Sequence, residues 1–374
     1  MSTKHNILFS DSRNLSNIED ATVDLIVTSP PYPMIEMWDD LFRELNPNIS
    51  DSLDKEDGQK SFELMNIELD KVWSEVDRIL NPNGFVCINI GDATRTIGGQ
   101  FQLYSNHSRI TSYFIKAGYQ PLPIALWKKS TNAPNKFMGS GMLPAGAYIT
   151  LEHEYILVFR KGGKRVFKTP SQKALRNSSA FFWEERNQWF SDTWNLKGVR
   201  QTINGSKTRE RNAAFPFELP YRLINMYSVK GDTVFDPFLG TGTTSFAAIA
   251  TERNSIGVEY DHNFDGLIKQ GLVNLKLETN ELISSRIKNH IAFTKEYEKT
   301  KRKLKHKNSK YGFPVMTRQE AELSINYVSD IDYSKFPEIS VKYENVEYTY
   351  SSNEMLIIKN ENQMRDEVQL SLFD

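Results

Sequence analysis

The chain has 374 residues, 39% hydrophobic and 25% charged, enough to bury one full α/β core and carry further structure besides. No apolar stretch approaches the ~20 residues that span a bilayer, and the opening Met1-Ser2-Thr3-Lys4-His5-Asn6 lacks a signal peptide's apolar core, so a soluble protein in the cytoplasm is expected, with no membrane partner. The single cysteine, Cys87, excludes an internal disulfide and a cysteine-clustered zinc site.

In chain order, Asn6-Ile7-Leu8-Phe9 reads as a strand ending at Ser10-Asp11. The aliphatic run Val23-Asp24-Leu25-Ile26-Val27 reads as a second, stopped by Thr28-Ser29-Pro30-Pro31-Tyr32, because paired prolines cannot continue a sheet ladder. An aromatic ring is thereby held at the carboxyl edge of a strand, where open α/β sheets bind ligands. The Ser29 hydroxyl and Pro30 carbonyl can both accept hydrogen bonds there, and Tyr32 offers a flat face. That combination suits an exocyclic amino group on a flat heterocycle. The aromatic segment Pro33 to Phe42 reads as a lid over the site.

Apolar spacing at Phe62, Met65, Leu69, Val72, Trp73, Val76 and Leu80 predicts a helix over 61–80, stopped by Asn81-Pro82-Asn83-Gly84. Phe85 to Gly91 follows as a strand with Cys87 as buried filler, and Asp92 at its end caps what comes next. Residues 101–118 read as a helix, and Pro123 to Lys128 and Glu154 to Phe159 as a closing strand pair around the loop Lys129 to Tyr148, a candidate DNA contact.

The net charge of -1 argues nothing by itself, but twelve Lys and Arg stand against four acids between 161 and 211. Phe167, Phe181, Phe182, Trp183, Trp189, Phe190 and Trp194 are interleaved with them. Cations among aromatics suit a surface that neutralises phosphates and stacks or wedges against bases.

Some two hundred residues after the first motif, Thr233-Val234-Phe235 leads into Asp236-Pro237-Phe238-Leu239-Gly240-Thr241-Gly242-Thr243-Thr244 and a helical run from Ser245. Its glycines allow close backbone approach to a ligand. Ser245 replaces the third glycine of a dinucleotide fingerprint, and no Gly-Lys-Ser/Thr marks a P-loop. The next strand, Ser255 to Glu259, ends in an acid placed to grip a ribose hydroxyl pair. Beyond residue 262 the pattern is helical to about 298. The basic run Lys299 to Lys307 then reads as a solvated helix face or a phosphate contact, and a few strands close the chain.

In these motifs and their order the chain resembles the S-adenosylmethionine-dependent DNA amino-methyltransferases of the β group, in which the catalytic motif precedes the cofactor motif. The resemblance covers most of residues 5–285 and includes the helix-opening Phe215-Pro216-Phe217-Glu218-Leu219-Pro220. It implies a circularly permuted Rossmann-like methyltransferase fold, a mostly parallel sheet with helices on both faces. The catalytic half is expected at 1–160, a target-recognition region at 161–211, the cofactor-binding half at 212–290 and a small α+β extension at 291–374. It further implies Ser29, Pro30, Pro31 and Tyr32 as the catalytic turn. S-adenosylmethionine contacts are implied from Asp11, Thr28, Phe215, Asp236, Pro237, Phe238, Gly240, Thr241, Gly242, Thr243 and Glu259, with no metal. Asp11 would face the adenine amino group, and Asp236 would accept from the methionine amine.

The partner so implied is double-stranded DNA, in company with a cognate restriction endonuclease acting on the same sequence, and the target base must flip out of the duplex. A serine before the prolines leans toward cytosine N4, an aspartate toward adenine N6. Cytosine C5 chemistry is excluded, since it needs a nucleophilic cysteine and Cys87 lies in a strand. The alternatives are adenine N6 transfer, an RNA or protein-amide N-methyltransferase, which usually carries Asn before the prolines, and a non-catalytic DNA-binding module.

Overall fold

The computed structural model describes residues 1–129, 144–146, 148–197 and 215–346. Its strands are β1 (Ser2–Phe9), β2 (Val23–Thr28), β3 (Leu80–Ile90), β4 (Ala93–Ile97), β5 (Gln100–Tyr104), β6 (Gln120–Pro121), β7 (Ala125–Lys128), β8 (His153–Arg160), β9 (Thr193–Trp194), β10 (Thr233–Asp236), β11 (Asn254–Glu259), β12 (His306–Lys307), β13 (Pro314–Val315), β14 (Asn326–Lys335) and β15 (Glu338–Asn345). The helices are α1 (Asp39–Leu45), α2 (Pro47–Asp54), α3 (Gly58–Ile79), α4 (Asn106–Lys116), α5 (Pro170–Ser178), α6 (Trp183–Trp189), α7 (Glu218–Tyr227), α8 (Thr243–Ala250) and α9 (Phe264–Thr300).

Strands β2, β10 and β11 are short and largely buried on both faces, the pattern of parallel strands covered by helices. One sheet runs β14-β15-β1-β11-β10-β2-β3-β8-β7-β9. Its five central strands, β1-β11-β10-β2-β3, are parallel, and both flanks turn antiparallel at β15 and β8. From β10 the chain winds outward through α8 to β11, and from β2 the other way through α3 to β3. The topological switch point therefore lies between β10 and β2, and ligands bind in the crevice outside the strand ends there. This is a circularly permuted Rossmann-like arrangement, with one buried apolar cluster on each face of the sheet.

The structure corrects several expectations. Helix α3 buries the anticipated stripe but ends at Ile79; Leu80 turns straight into β3, and residues 81–84 are absorbed as a register shift against β2. The helix expected from 101 begins only at Asn106, because Gly98 and Gly99, at φ +56° and +71°, make a two-residue turn that pairs β4 with β5. Asp92 accepts from the His107 N–H at 3.1 Å, a cap-type bond to the first turn of α4. Helix α9 runs unbroken through the boundary expected at 290, and β15 pairs with β1, so the C-terminal strands extend the main sheet. The basic run lies mostly beyond the end of α9 and is not a helix face.

Part of the basic aromatic segment is built into the fold. Phe182, Trp189 and Trp194 are buried, and the Trp194 indole donates to the Trp189 and Ser191 carbonyls. Arg165 pairs with Asp232 at 2.6 Å and Lys161 with Asp77 at 3.1 Å. Asp232 and Asp24, which also faces Arg165, stand where β10 and β2 begin, the edge of the sheet opposite the cofactor motif. Residues 198–211 of that segment, and 130–143 and 147 of the loop expected to touch DNA, lie outside the described residues.

Candidate active site

A cavity of about 810 Å³ opens at the carboxyl ends of the central strands, within the ~300–1,000 Å³ range of small-molecule sites. Ser29, Pro30, Pro31 and Tyr32 line it from one side of the switch point. Pro237, Phe238, Gly240, Thr241, Thr243 and Glu259 line it from the other, with Asp11 and Phe215. The segment read as a lid forms its roof: Ile35, Met37, Trp38, Leu41 and the buried Phe42 line the cavity. Two polar ties hold that roof, Arg95 to both Asp39 oxygens at 2.8 and 2.7 Å and Tyr260 to Glu44 at 2.7 Å.

Thr28, Asp236 and Gly242 do not line the cavity; they shape it from behind. The Asp236 carboxylate is buried and accepts from the Thr28 and Thr244 hydroxyls, each at 2.6 Å, and from the Phe238 N–H at 3.0 Å. Burial outweighs those three bonds and pushes its pKa up to about 6. Gly242, at φ +92°, stands just before α8, and a Cβ there would lie 3.0 Å from the Phe246 ring. Gly257 matters equally: a Cβ would meet both Leu239 methyls at 2.6 Å.

Glu259 accepts from the Gly240 N–H at 2.7 Å and the Asp261 N–H at 2.8 Å, and burial raises its pKa. Both oxygens keep lone pairs for a diol. Asp11 is clasped by Arg13, with contacts from 2.7 to 3.1 Å; burial alone would raise its carboxyl, but the guanidinium carries it below its ordinary value. Arg13 also reaches Glu68 at 2.7 Å, which fixes the Asp11 loop against α3.

The Ser29 to Tyr32 turn sits in a polar network that sequence reasoning missed. The Tyr32 hydroxyl donates to Glu154 at 2.9 Å, accepts from the Asn89 amide at 2.9 Å and lies 3.0 Å from the Ser29 hydroxyl. Asn89 also donates to Glu154 at 2.6 Å, and Lys129 pairs with the other Glu154 oxygen. Burial, with the Glu154 charge beside it, raises the Tyr32 pKa well above the usual phenol value, so the ring stays protonated. The available signal was a carboxamide and a carboxylate at adjacent ends of two apolar strands, β3 and β8, paired Asn89 to Ile156. Among the described residues no group of His, Cys, Asp and Glu is arranged to hold a metal ion, and no helix is long and apolar enough to cross a membrane.

A permuted α/β fold with a Ser-Pro-Pro-Tyr turn facing an acid-ended cofactor loop across one cavity defines a methyltransferase of exocyclic amines. A profile of the DNA methylase family, covering N6- and N4-methyltransferases, matches residues 23–270, and the chain belongs to that family. It is 53% identical over 348 residues to the Type II methyltransferase M.MthZI of Methanothermobacter thermautotrophicus, covering 92% of this chain and 97% of that one. It is 51% identical to the Type II methyltransferase M.MjaI of Methanocaldococcus jannaschii, covering 72% and 91%. TTHA0409 of Thermus thermophilus, solved with S-adenosyl-L-methionine, superimposes at TM-score 0.56 with 30% identity over 72% of this chain and 94% of that one. The methyl donor of this family is S-adenosylmethionine.

Proposed function

We propose that the chain is a Type II DNA methyltransferase that methylates the N4 amino group of a cytosine flipped out of duplex DNA. The observation that carries this reading is the placement of Ser29 to Tyr32 and of Pro237 to Thr241, Thr243 and Glu259 on opposite walls of one cavity. The residues fit the cofactor. Glu259 has lone pairs for ribose hydroxyls, Asp11 offers an acceptor for the adenine amino group, and Pro237 to Thr241, with the Phe238 ring, line the same cavity. When bound, S-adenosylmethionine supplies a sulfonium-activated methyl group.

The protein's part is to present the nucleophile. An exocyclic amine is a poor nucleophile because its lone pair is delocalised into the ring. Accepting its N–H groups at the Ser29 hydroxyl and the Pro30 carbonyl draws the nitrogen toward sp3 character and frees that pair. Tyr32 supplies a stacking face, worth about 1–3 kcal/mol per base. Positioning of this kind contributes roughly 7–11 kcal/mol when the geometry is a near-attack one. A neutral hydroxyl at position 29, where other members carry a carboxylate, supports cytosine over adenine.

Expression in a host lacking DNA methylation, followed by single-molecule sequencing of that host's DNA, tests the reading. The expected result is N4-methylcytosine in one short motif, lost in Ser29→Ala. N6-methyladenine would retain the enzyme and overturn the base assignment. Unmodified DNA with S-adenosylmethionine still bound would transfer the reading to RNA or protein amides.

A further inference from the structure

Glu154 is 8% exposed, carries a charge into the cavity wall and has no part in the chemistry described so far. Its bonding settles a question that the Ser-Pro-Pro-Tyr turn leaves open, namely which way the Ser29 hydroxyl points. A serine hydroxyl is donor and acceptor at once, and it rotates to suit its neighbours. Only the acceptor orientation is useful toward an amine. A hydroxyl pointing its hydrogen into the cavity would oppose the N–H groups it has to receive.

The count of hydrogens resolves this. A carboxylate only accepts, so the 2.9 Å contact between the Tyr32 hydroxyl and Glu154 consumes the one phenolic hydrogen. Asn89 delivers an N–H to the same phenolic oxygen at 2.9 Å. Tyr32 has nothing left to donate across its 3.0 Å contact with Ser29, so Ser29 must donate there. Its hydrogen is drawn toward Tyr32 and its lone pairs face away from that ring. Asn89 and Lys129 in turn hold Glu154 in place.

We propose that Glu154 is a positioning residue that sets the polarity of the Ser29 hydroxyl through Tyr32, so that Ser29 stands as a committed acceptor for the target amine. The proposal rests on Ser29 receiving that amine, the reading given above. Tyr32 thus has two separable duties, its ring toward the base and its hydroxyl toward Ser29. An aromatic without a hydroxyl would keep the first and lose the second.

Two experiments test it. In single-turnover methylation of a DNA duplex, Glu154→Ala and Tyr32→Phe should each lower the rate about tenfold or more, while dissociation constants for DNA and S-adenosylmethionine stay near those of the parent. The double variant should be no slower than Tyr32→Phe alone, because both changes cut one chain of bonds. Glu154→Gln, which retains an acceptor oxygen, should recover most of what Glu154→Ala loses. A Glu154→Ala loss as large in the Tyr32→Phe background as in the parent would overturn the proposal, since Glu154 would then act by another route.

The second experiment does not depend on activity. Neutron diffraction from deuterated crystals should place the Ser29 deuteron on the line to the Tyr32 oxygen and the Tyr32 deuteron on the line to Glu154. A Tyr32 deuteron directed at Ser29 overturns the proposal even if Glu154→Ala does not fold. A parent enzyme that transfers no methyl group to DNA would fail the functional reading alone, leaving the deuteron positions to decide the polarity.

Discussion

Thr28 and Asp236, 208 residues apart in the chain, are joined by a 2.6 Å hydrogen bond across the two strands that flank the switch point of the sheet. One residue opens the Ser-Pro-Pro-Tyr turn and the other opens the glycine loop. The bond therefore fixes the two motifs against each other from beneath the cavity floor, which neither side chain lines.

Thr28→Val removes that bond with little change of shape and leaves a buried carboxylate with one donor fewer. A loss of about 1–3 kcal/mol in stability is expected, together with weaker binding of S-adenosylmethionine. Thermal denaturation and calorimetric titration check the two halves separately. Unchanged cofactor affinity in a destabilised variant would show that the bond serves the fold alone.

Asp236 gives the stability a pH signature. Its folded pKa of about 6 lies above its ordinary 3.8, so the folded protein binds the proton more tightly. The contribution is fully present below 3.8 and is lost as pH rises through 6, on the order of 3 kcal/mol at neutral pH. Denaturant titrations at intervals from pH 4 to 7 should show this slope in the parent and its disappearance in Asp236→Asn.

His5 has the opposite sign. It is fully buried between Thr3 and Ser255, each bond 2.8 Å, and burial lowers its pKa from 6.5 to about 3. The unfolded chain takes up a proton that the folded chain refuses, so stability present above pH 6.5 is lost as pH falls toward 3. His5→Gln should be less stable at pH 7 yet show a flatter acid limb in the same titrations.

Gly257→Ala tests how tightly the cofactor loop is packed. The new methyl meets Leu239, whose N–H bonds the Val258 carbonyl at 2.9 Å, and so pushes on the loop that delivers the Gly240 N–H to Glu259. Overpacking of this kind costs about 1–3 kcal/mol. The loss should fall largely on S-adenosylmethionine affinity, with the melting temperature as the control.

Much of this was legible in the sequence because β2, β10 and β11 are short, largely buried runs that stop at prolines, a glycine loop and an acid. Those are backbone instructions, and the structure puts both motifs on one cavity. The turn at Gly98 and Gly99 and the alternating Phe101 and Leu103 after it were equally legible as a hairpin, but the helical pattern from Asn106 onward was extended back over them. In the basic aromatic segment the sequence could not tell buried rings from exposed ones. Composition does not say which side of a ring faces inward, and Phe182 stacks on the buried His290 at 3.8 Å while Trp189 packs on Tyr221. The Asn89–Glu154 network escaped because a polar residue at the end of an apolar strand looks the same whether it caps or acts.

The strand that carries the Asp11 loop has its sheet partners far along the chain. β1 lies between β11 and β15, and His5 is hydrogen-bonded to Ser255, 250 residues later. During synthesis β1 therefore waits without its sheet partners until most of the protein has emerged. Assembly of the cavity is thus a late event: until β11 has emerged, the Asp11 loop has no sheet partner to set it against Ser29 to Tyr32.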